Sequence, residues 1–156
     1  MADRGFCVTR IISGGQTGVD RAALDVASDL GFECGGWCPK GRMAEDGPLS
    51  DWYPLKETPS SEYAERTVWN VRDSDGTLIL TWGPPTNGTA LTQEIAESSG
   101  KPCLVVDLLE KASLCAVREW IQRNRIRVLN VAGPRSSKCP GIYEDAAAFL
   151  RMLLSD

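Results

Sequence analysis

The chain has no histidine. Catalytic triads and zinc centres that need an imidazole are therefore excluded. It has no excess of basic charge either: 17 Lys and Arg stand against 21 Asp and Glu, a net charge of −4. That excludes the ordinary basic nucleic-acid surface but leaves room for a small anionic ligand in one local site. No apolar run approaches the length of a membrane span, so no membrane partner is expected. The opening residues Met1 to Gly5 lack the apolar core of a secretory signal, and the expected compartment is the cytoplasm. No Gly-Lys-Ser/Thr follows any glycine loop, and the spacing G-x-G-x-x-G is missing, so neither a Walker loop nor a dinucleotide fingerprint is present. Internal repeats and low-complexity segments are absent as well.

What is present is a chain of 156 residues with 42% hydrophobic content, enough for a single domain, residues 1–156, with a real core. Six cysteines occur at 7, 34, 38, 103, 115 and 139. In a cytosolic domain of this size they do not read as a disulfide scaffold. Cys34 and Cys38 have near-ligand spacing but no second pair close by. Cys103 and Cys115 read as core residues.

The chain is organised around residues 11–24, Ile-Ile-Ser-Gly-Gly-Gln-Thr-Gly-Val-Asp-Arg-Ala-Ala-Leu. Val8 to Ile12 is a short apolar strand, Gly14, Gly15 and Gly18 form a turn, and Asp20 to Leu30 is a helix with an apolar stripe. Such a turn aims backbone N–H groups at a helix start, where negative charge is favoured. Gln16 and Thr17 add side-chain donors. The plain alternative is a tight strand-to-helix turn with no ligand.

Gly31 stops the first helix. A second short strand covers Phe32 to Trp37. Residues 38 to 60, with four prolines, form a long loop across the top of the sheet, the kind of loop that carries function. Ser60 or Ser61 caps a helix whose inner stripe is Tyr63, Ala64, Thr67, Val68 and Val71. Strands follow at Thr77 to Thr81, Pro102 to Asp107 and Arg127 to Ala132. Helices run from about Thr89 to Ser99, Leu109 to Asn124 and Gly141 to Leu154. This alternation predicts an α/β fold of three layers, Rossmann-like: a five-stranded, mainly parallel sheet in the order 2-1-3-4-5 with helices on both faces. Ligands of such sheets lie beyond the carboxyl ends of the strands, where the glycine-rich loops fall.

Several polar residues converge on that edge in this reading. Arg66 is a cation on the inner side of its helix, with Thr67 and Asn70 on or near the same face, and arginine grips phosphate or carboxylate bidentately. Asn87, Gly88 and Thr89 lead into another helix start, with Thr89 a candidate N-cap. Asp75 reads as a turn residue. Glu45 and Asp46 are candidate acids or bases if buried. Trp37, Trp52, Tyr53 and Trp82 offer flat surfaces to a ring-shaped ligand, or equally to packing.

The segments at 14–24, 36–42 (Gly-Trp-Cys-Pro-Lys-Gly-Arg), 66–71 (Arg-Thr-Val-Trp-Asn-Val), 74–79 and 87–92 together resemble the putative molybdenum carrier family, over roughly residues 10 to 135. That family is similar to molybdenum-cofactor carrier proteins and, more distantly, to lysine-decarboxylase-like phosphoribohydrolases. The resemblance implies a small anionic ligand, phosphorylated and ring-bearing: molybdenum cofactor, its molybdopterin in particular, or otherwise a nucleotide-like molecule. Carried over by position, Gly14, Gly15, Thr17 and Gly18 bind phosphate, and Gln16, Asp20 and Arg21 join them as candidates in the first binding segment. Trp37, Lys40, Arg66, Asn70, Gly88 and Thr89 complete the set. A homo-oligomer is expected. The alternative is a nucleotide-processing enzyme or a sensor of a nucleotide derivative. Catalysis is not expected, because Thr92 stands where the similar hydrolases carry a glutamate, leaving Glu45 and Glu94 as substitutes.

Overall fold

The computed structural model describes residues 7–155, so the reading of Met1 to Gly5 lies outside the described residues. Strand β1 (Arg10–Ile12) leads into helix α1 (Val19–Asp29) and strand β2 (Glu33–Gly35). The helix forms because Val19, Ala22, Ala23, Val26 and Ala27 repeat on one face, and all five are buried. It stops where the sequence predicts. The Gly31 N–H donates to Ser28 O (3.2 Å) and the Phe32 N–H to Ala27 O (2.9 Å), a glycine-closed helix end with φ 82° at Gly31.

The expected long loop carries four two-residue strands: β3 (Trp37–Cys38), β4 (Met43–Ala44), β5 (Gly47–Pro48) and β6 (Lys56–Glu57). β3 pairs with β6 and β4 with β5, so the excursion is cross-braced in two places. Then come α2 (Tyr63–Arg72), β7 (Gly76–Thr81), α3 (Asn87–Ser98), β8 (Cys103–Asp107), α4 (Leu114–Arg123), β9 (Val128–Ala132) and α5 (Ile142–Leu154).

The main sheet is five-stranded and parallel throughout, as expected, with the order β2-β1-β9-β7-β8. Counting only these five strands, the order is 2-1-5-3-4. The neighbours 2-1 and 3-4 are those of the sequence reading, but the last strand lies in the middle, between the first and the third, rather than at the edge. Numbered from that last strand, the same sheet reads 3-2-1-4-5. This is the doubly wound order with its first strand moved to the end of the chain. The point where the order reverses therefore lies between β9 and β7.

The two faces of the sheet differ. Ile11, Leu78, Leu80, Leu129 and Val131 point to the side of α1, α4 and α5, and that side is an apolar core. The alternate residues Thr77, Thr81 and Asn130 point to the side of α2 and α3 and are buried polar groups. On this side α2 buries Asn70 and Val71, while Tyr63 and Val68 are exposed, which corrects the expected stripe. The helix is turned so that its polar residues face the sheet edge. Its N-cap position is Glu62 rather than Ser60 or Ser61, and that of α3 is Thr86 rather than Thr89, neither with a side-chain capping bond. Cys115 is exposed and Cys103 only partly buried, so neither belongs to the core proper. Asp75, in the turn before β7, also pins the start of β9. Its Oδ2 accepts the N–H groups of Arg127 (3.1 Å) and Val128 (2.9 Å).

Candidate ligand-binding site

A cavity of about 290 Å³ opens at the carboxyl ends of β7 and β9, at the reversal point. Thr81 and Trp82 come from the end of β7, and Asn130, Ala132 and Gly133 from β9. α2 supplies Tyr63, Arg66, Thr67 and Asn70, and α3 supplies Asn87, Gly88, Thr89, Leu91 and Thr92. Of the residues expected from the sequence, Gly14, Gln16, Asp20, Arg66, Asn70, Gly88 and Thr89 line it.

The others lie elsewhere. Gly15 packs on the long loop, where an added Cβ would meet Leu55 Cδ1 at 2.6 Å. Gly18 has φ 81° and lies against the β9–α5 loop, with the added Cβ 2.3 Å from Pro134 O. Thr17 donates its hydroxyl to Glu45 and accepts the Ser136 N–H (3.1 Å). Arg21 pairs with Asp46 at 2.5 Å. Trp37 stacks edge-on against Trp69 and donates from Nε1 to Asp73 (2.7 Å). Lys40 is exposed. Trp52 and Tyr53 pack on each other, so of the flat surfaces expected only Trp82 faces the cavity, held by a hydrogen bond from Nε1 to Asp145 (3.0 Å).

Four donors at the start of α1 meet the protein itself, while the Gly18 and Asp20 N–H groups meet no acceptor among the described residues. The Gly15 N–H donates to Ser13 Oγ (3.4 Å), Gln16 N–H to Asp20 Oδ2 (3.3 Å), Thr17 N–H to Gln16 Oε1 (3.1 Å) and Val19 N–H to Pro134 O (3.3 Å). The anion at this helix start is the Asp20 carboxylate. Arg66 Nη1 donates to the same Oδ2 at 3.1 Å. Gly14 is glycine for this reason, since a Cβ there would lie 1.6 Å from Arg66 Nη1. Burial pushes the Asp20 carboxyl above its ordinary value, and the Arg66 charge and the Gln16 N–H only partly oppose it.

The start of α3 is open. Thr86 makes no side-chain cap, and the N–H groups of Asn87 and Gly88 meet no acceptor among the described residues. Asn87 takes a left-handed φ of 48°, which asparagine tolerates. Arg135 and Lys138, from the β9–α5 loop, line the same cavity. Sequence reasoning missed these two cations, and Asn130 with them. Asn130 does carry a signal: it is a polar residue in the middle of an apolar strand.

The cavity floor has spare hydrogen-bonding capacity. Asn130 Nδ2 donates to Thr77 Oγ1 (3.2 Å), while its Oδ1 has no partner among the described residues. Thr81 Oγ1, Thr89 Oγ1, Gln16 Nε2 and Asp20 Oδ1 are likewise unpartnered there, though all these residues are buried. Asn70, by contrast, uses both ends of its amide on the backbone of Trp37. Thr92 donates to Gly88 O (3.0 Å). Glu94 is exposed, and neither it nor Glu45 lines the cavity.

Glu45 instead ties the long loop to the β9–α5 loop. It accepts from Thr17, from the Ser137 N–H (3.1 Å) and from the Ser137 hydroxyl, with Arg135 at 3.6 Å. Partial burial raises its carboxyl, but the bonds from Ser137 and Thr17 outweigh this and hold it below its ordinary value.

Among the described residues no helix is long and apolar enough to cross a membrane, and no three His, Cys, Asp or Glu side chains converge as a metal set.

Comparison with known proteins agrees with this architecture. Among curated proteins there is no match. A crystal structure of a putative molybdenum carrier protein from Syntrophus aciditrophicus SB is 47% identical over 96% of each chain, with a TM-score of 0.92. The model of the circularly permutated YpsA SLOG family matches residues 11–154. The sheet of this chain is itself permuted relative to the doubly wound order, with the strand that would come first coming last. On both grounds, this chain belongs to the circularly permutated YpsA SLOG family, whose structural neighbour here carries the molybdenum carrier name.

Proposed function

We propose that the chain is a carrier for a phosphorylated, ring-bearing small molecule of the pterin kind, molybdenum cofactor being the leading candidate. The observation that carries this reading is the open start of α3 in a cavity that Arg135 and Lys138 also line. Two unpaired backbone donors and a helix dipole form a phosphate end, and the lining cations favour an anionic ligand in the same cavity. The uncharged donors and acceptors of the floor suit the polar edge of a heterocycle. The flanking Tyr63, Trp82 and Leu91 suit its face. In this reading any molybdenum is held by the organic part of the ligand, not by protein side chains. The chain then works as a homo-oligomer in the cytoplasm, with no nucleic-acid partner.

The test is mass spectrometry of the ligand released from gently purified protein, with a phosphorylated pterin expected. Arg135→Ala and Lys138→Ala should each weaken its binding by roughly ten- to a hundredfold, the worth of one charge-assisted hydrogen bond. Recovery of a nucleotide instead would favour the nucleotide-processing or sensing alternative.

A further inference from the structure

We propose that Asp20 is a specificity-determining residue: an internal anion that fills the start of α1, keeps phosphate and carboxylate groups off the cavity floor, and admits there only an uncharged, hydrogen-bond-donating end of the ligand. The inference rests on reading the cavity as the site of a phosphorylated ligand, and adds which way round that ligand lies.

The turn before α1 has the parts of an anion site, with small residues, a helix start and the Arg66 guanidinium. Asp20 occupies it. Its Oδ2 accepts from both Gln16 N–H (3.3 Å) and Arg66 Nη1 (3.1 Å), and the residue is only 5% exposed. Its Oδ1 remains, unpartnered among the described residues, in a side chain that lines the cavity. A ligand phosphate at that point would meet a like charge in a buried setting whose cation, Arg66, is already engaged by Asp20, and repulsion there exceeds what one hydrogen bond returns. An N–H or O–H would meet an acceptor. Gln16 Nε2, Asn130 Oδ1 and Thr81 Oγ1 also offer bonds to a neutral polar group. Asp20 is thus the one carboxylate among the described residues that line the cavity, and the floor it shares with Gln16, Asn130 and Thr81 carries its free acceptor beside neutral polar groups.

The experiment uses inorganic phosphate as the probe, followed by calorimetry, in a Gly88→Asp background that closes the α3 start. There Asp20→Asn, which keeps the shape and removes the charge, should raise phosphate affinity at least about tenfold, with one site per chain. Adding Arg66→Ala should abolish the gain. Asp20→Ser serves as a second neutral variant if the first unfolds, as read by thermal melting. Folded neutral variants that bind phosphate no better than the background overturn the proposal. Because the comparison is made within one background, a failure of the α3 reading shows separately, as equal phosphate binding by the natural chain and Gly88→Asp.

Discussion

Helices α1 and α3 both begin at glycine-containing turns on the same edge of the sheet, and they differ in whether the chain sets its own carboxylate there. At α1 the donors of Gly15, Gln16, Thr17 and Val19 have protein acceptors, those of Gly18 and Asp20 have none among the described residues, and a carboxylate stands on the dipole. At α3 the donors of Asn87 and Gly88 have none among the described residues, no carboxylate stands there, and the cavity they open on is also lined by Arg135 and Lys138. The difference teaches that a strand–glycine–helix pattern says where an anion is welcome but not whose anion it is. At α1 the chain supplies its own. At α3 the position is left for something else.

The largest effect is expected from breaking the closed start. Gly18→Val combines a left-handed φ of 81° with a Cβ 2.3 Å from the Pro134 carbonyl. It should cost about 2–5 kcal/mol of stability, measured by urea unfolding. A loss below 1 kcal/mol, roughly the level of a neutral surface change, would show that the β9–α5 loop simply moves aside.

Gly88→Asp makes the open start resemble the closed one. The added Cβ meets nothing within 4 Å, and a carboxylate in a first helical turn is stabilising by about 0.3–1 kcal/mol. The melting temperature should hold or rise slightly while binding of a phosphorylated ligand falls at least about tenfold, roughly the worth of one charge-assisted bond. Unchanged affinity would remove α3 from the site.

Asp20→Asn tests the closed start through pH. Because the folded carboxyl lies above its ordinary value of 3.8, the folded chain keeps a proton that the unfolded chain has already lost. Stability from this group therefore falls as pH rises through that window. The difference in melting temperature between Asp20→Asn and the natural chain should grow in favour of the variant from acid to neutral pH. A difference that shrinks would mean that the Arg66 pairing outweighs burial.

The smallest effect belongs to the latch beside α1. Glu45 is held below its ordinary value, so its contribution is present at neutral pH and fades as pH falls through the lowered value. Being largely solvated, it should cost less than about 1 kcal/mol when changed to Gln. Faster proteolytic nicking within residues 38–60 is the expected sign. Equal nicking rates would show that the Arg42 bonds to Ser50, Tyr53 and Leu55 carbonyls hold the loop by themselves.

The elements themselves are legible because their signals are local. The stripe of α1, the stop at Gly31 and the all-apolar middle of β7 each follow from residues close together in the chain. The order of the strands is not, since β9 and β8 are both short apolar strands and nothing near either names its neighbours. Among the candidate residues, Arg66 and Gly88 are found by type and position. Trp37 and Arg21 are assigned to the site on the same grounds, but they pair with Asp73 and Asp46 instead. Tyr63, Asn130 and Lys138 escape a sequence reading because a long-range approach of α2, β9 and the β9–α5 loop brings them together.

The sequence by itself determined an α/β domain, its alternation of strands and helices, and the edge of the sheet on which a ligand would be sought. Hydrophobic periodicity and turn chemistry act over a few residues, so they can be read without coordinates. Only the tertiary structure decided that the last strand enters the middle of the sheet and that Asp20 and Arg66, 46 positions apart, close the first glycine turn. It also decided which of two similar helix starts carries the chain's own carboxylate. Those outcomes depend on which distant groups come within hydrogen-bonding distance, and a donor's partner is fixed by the folded chain, not by its neighbours in sequence.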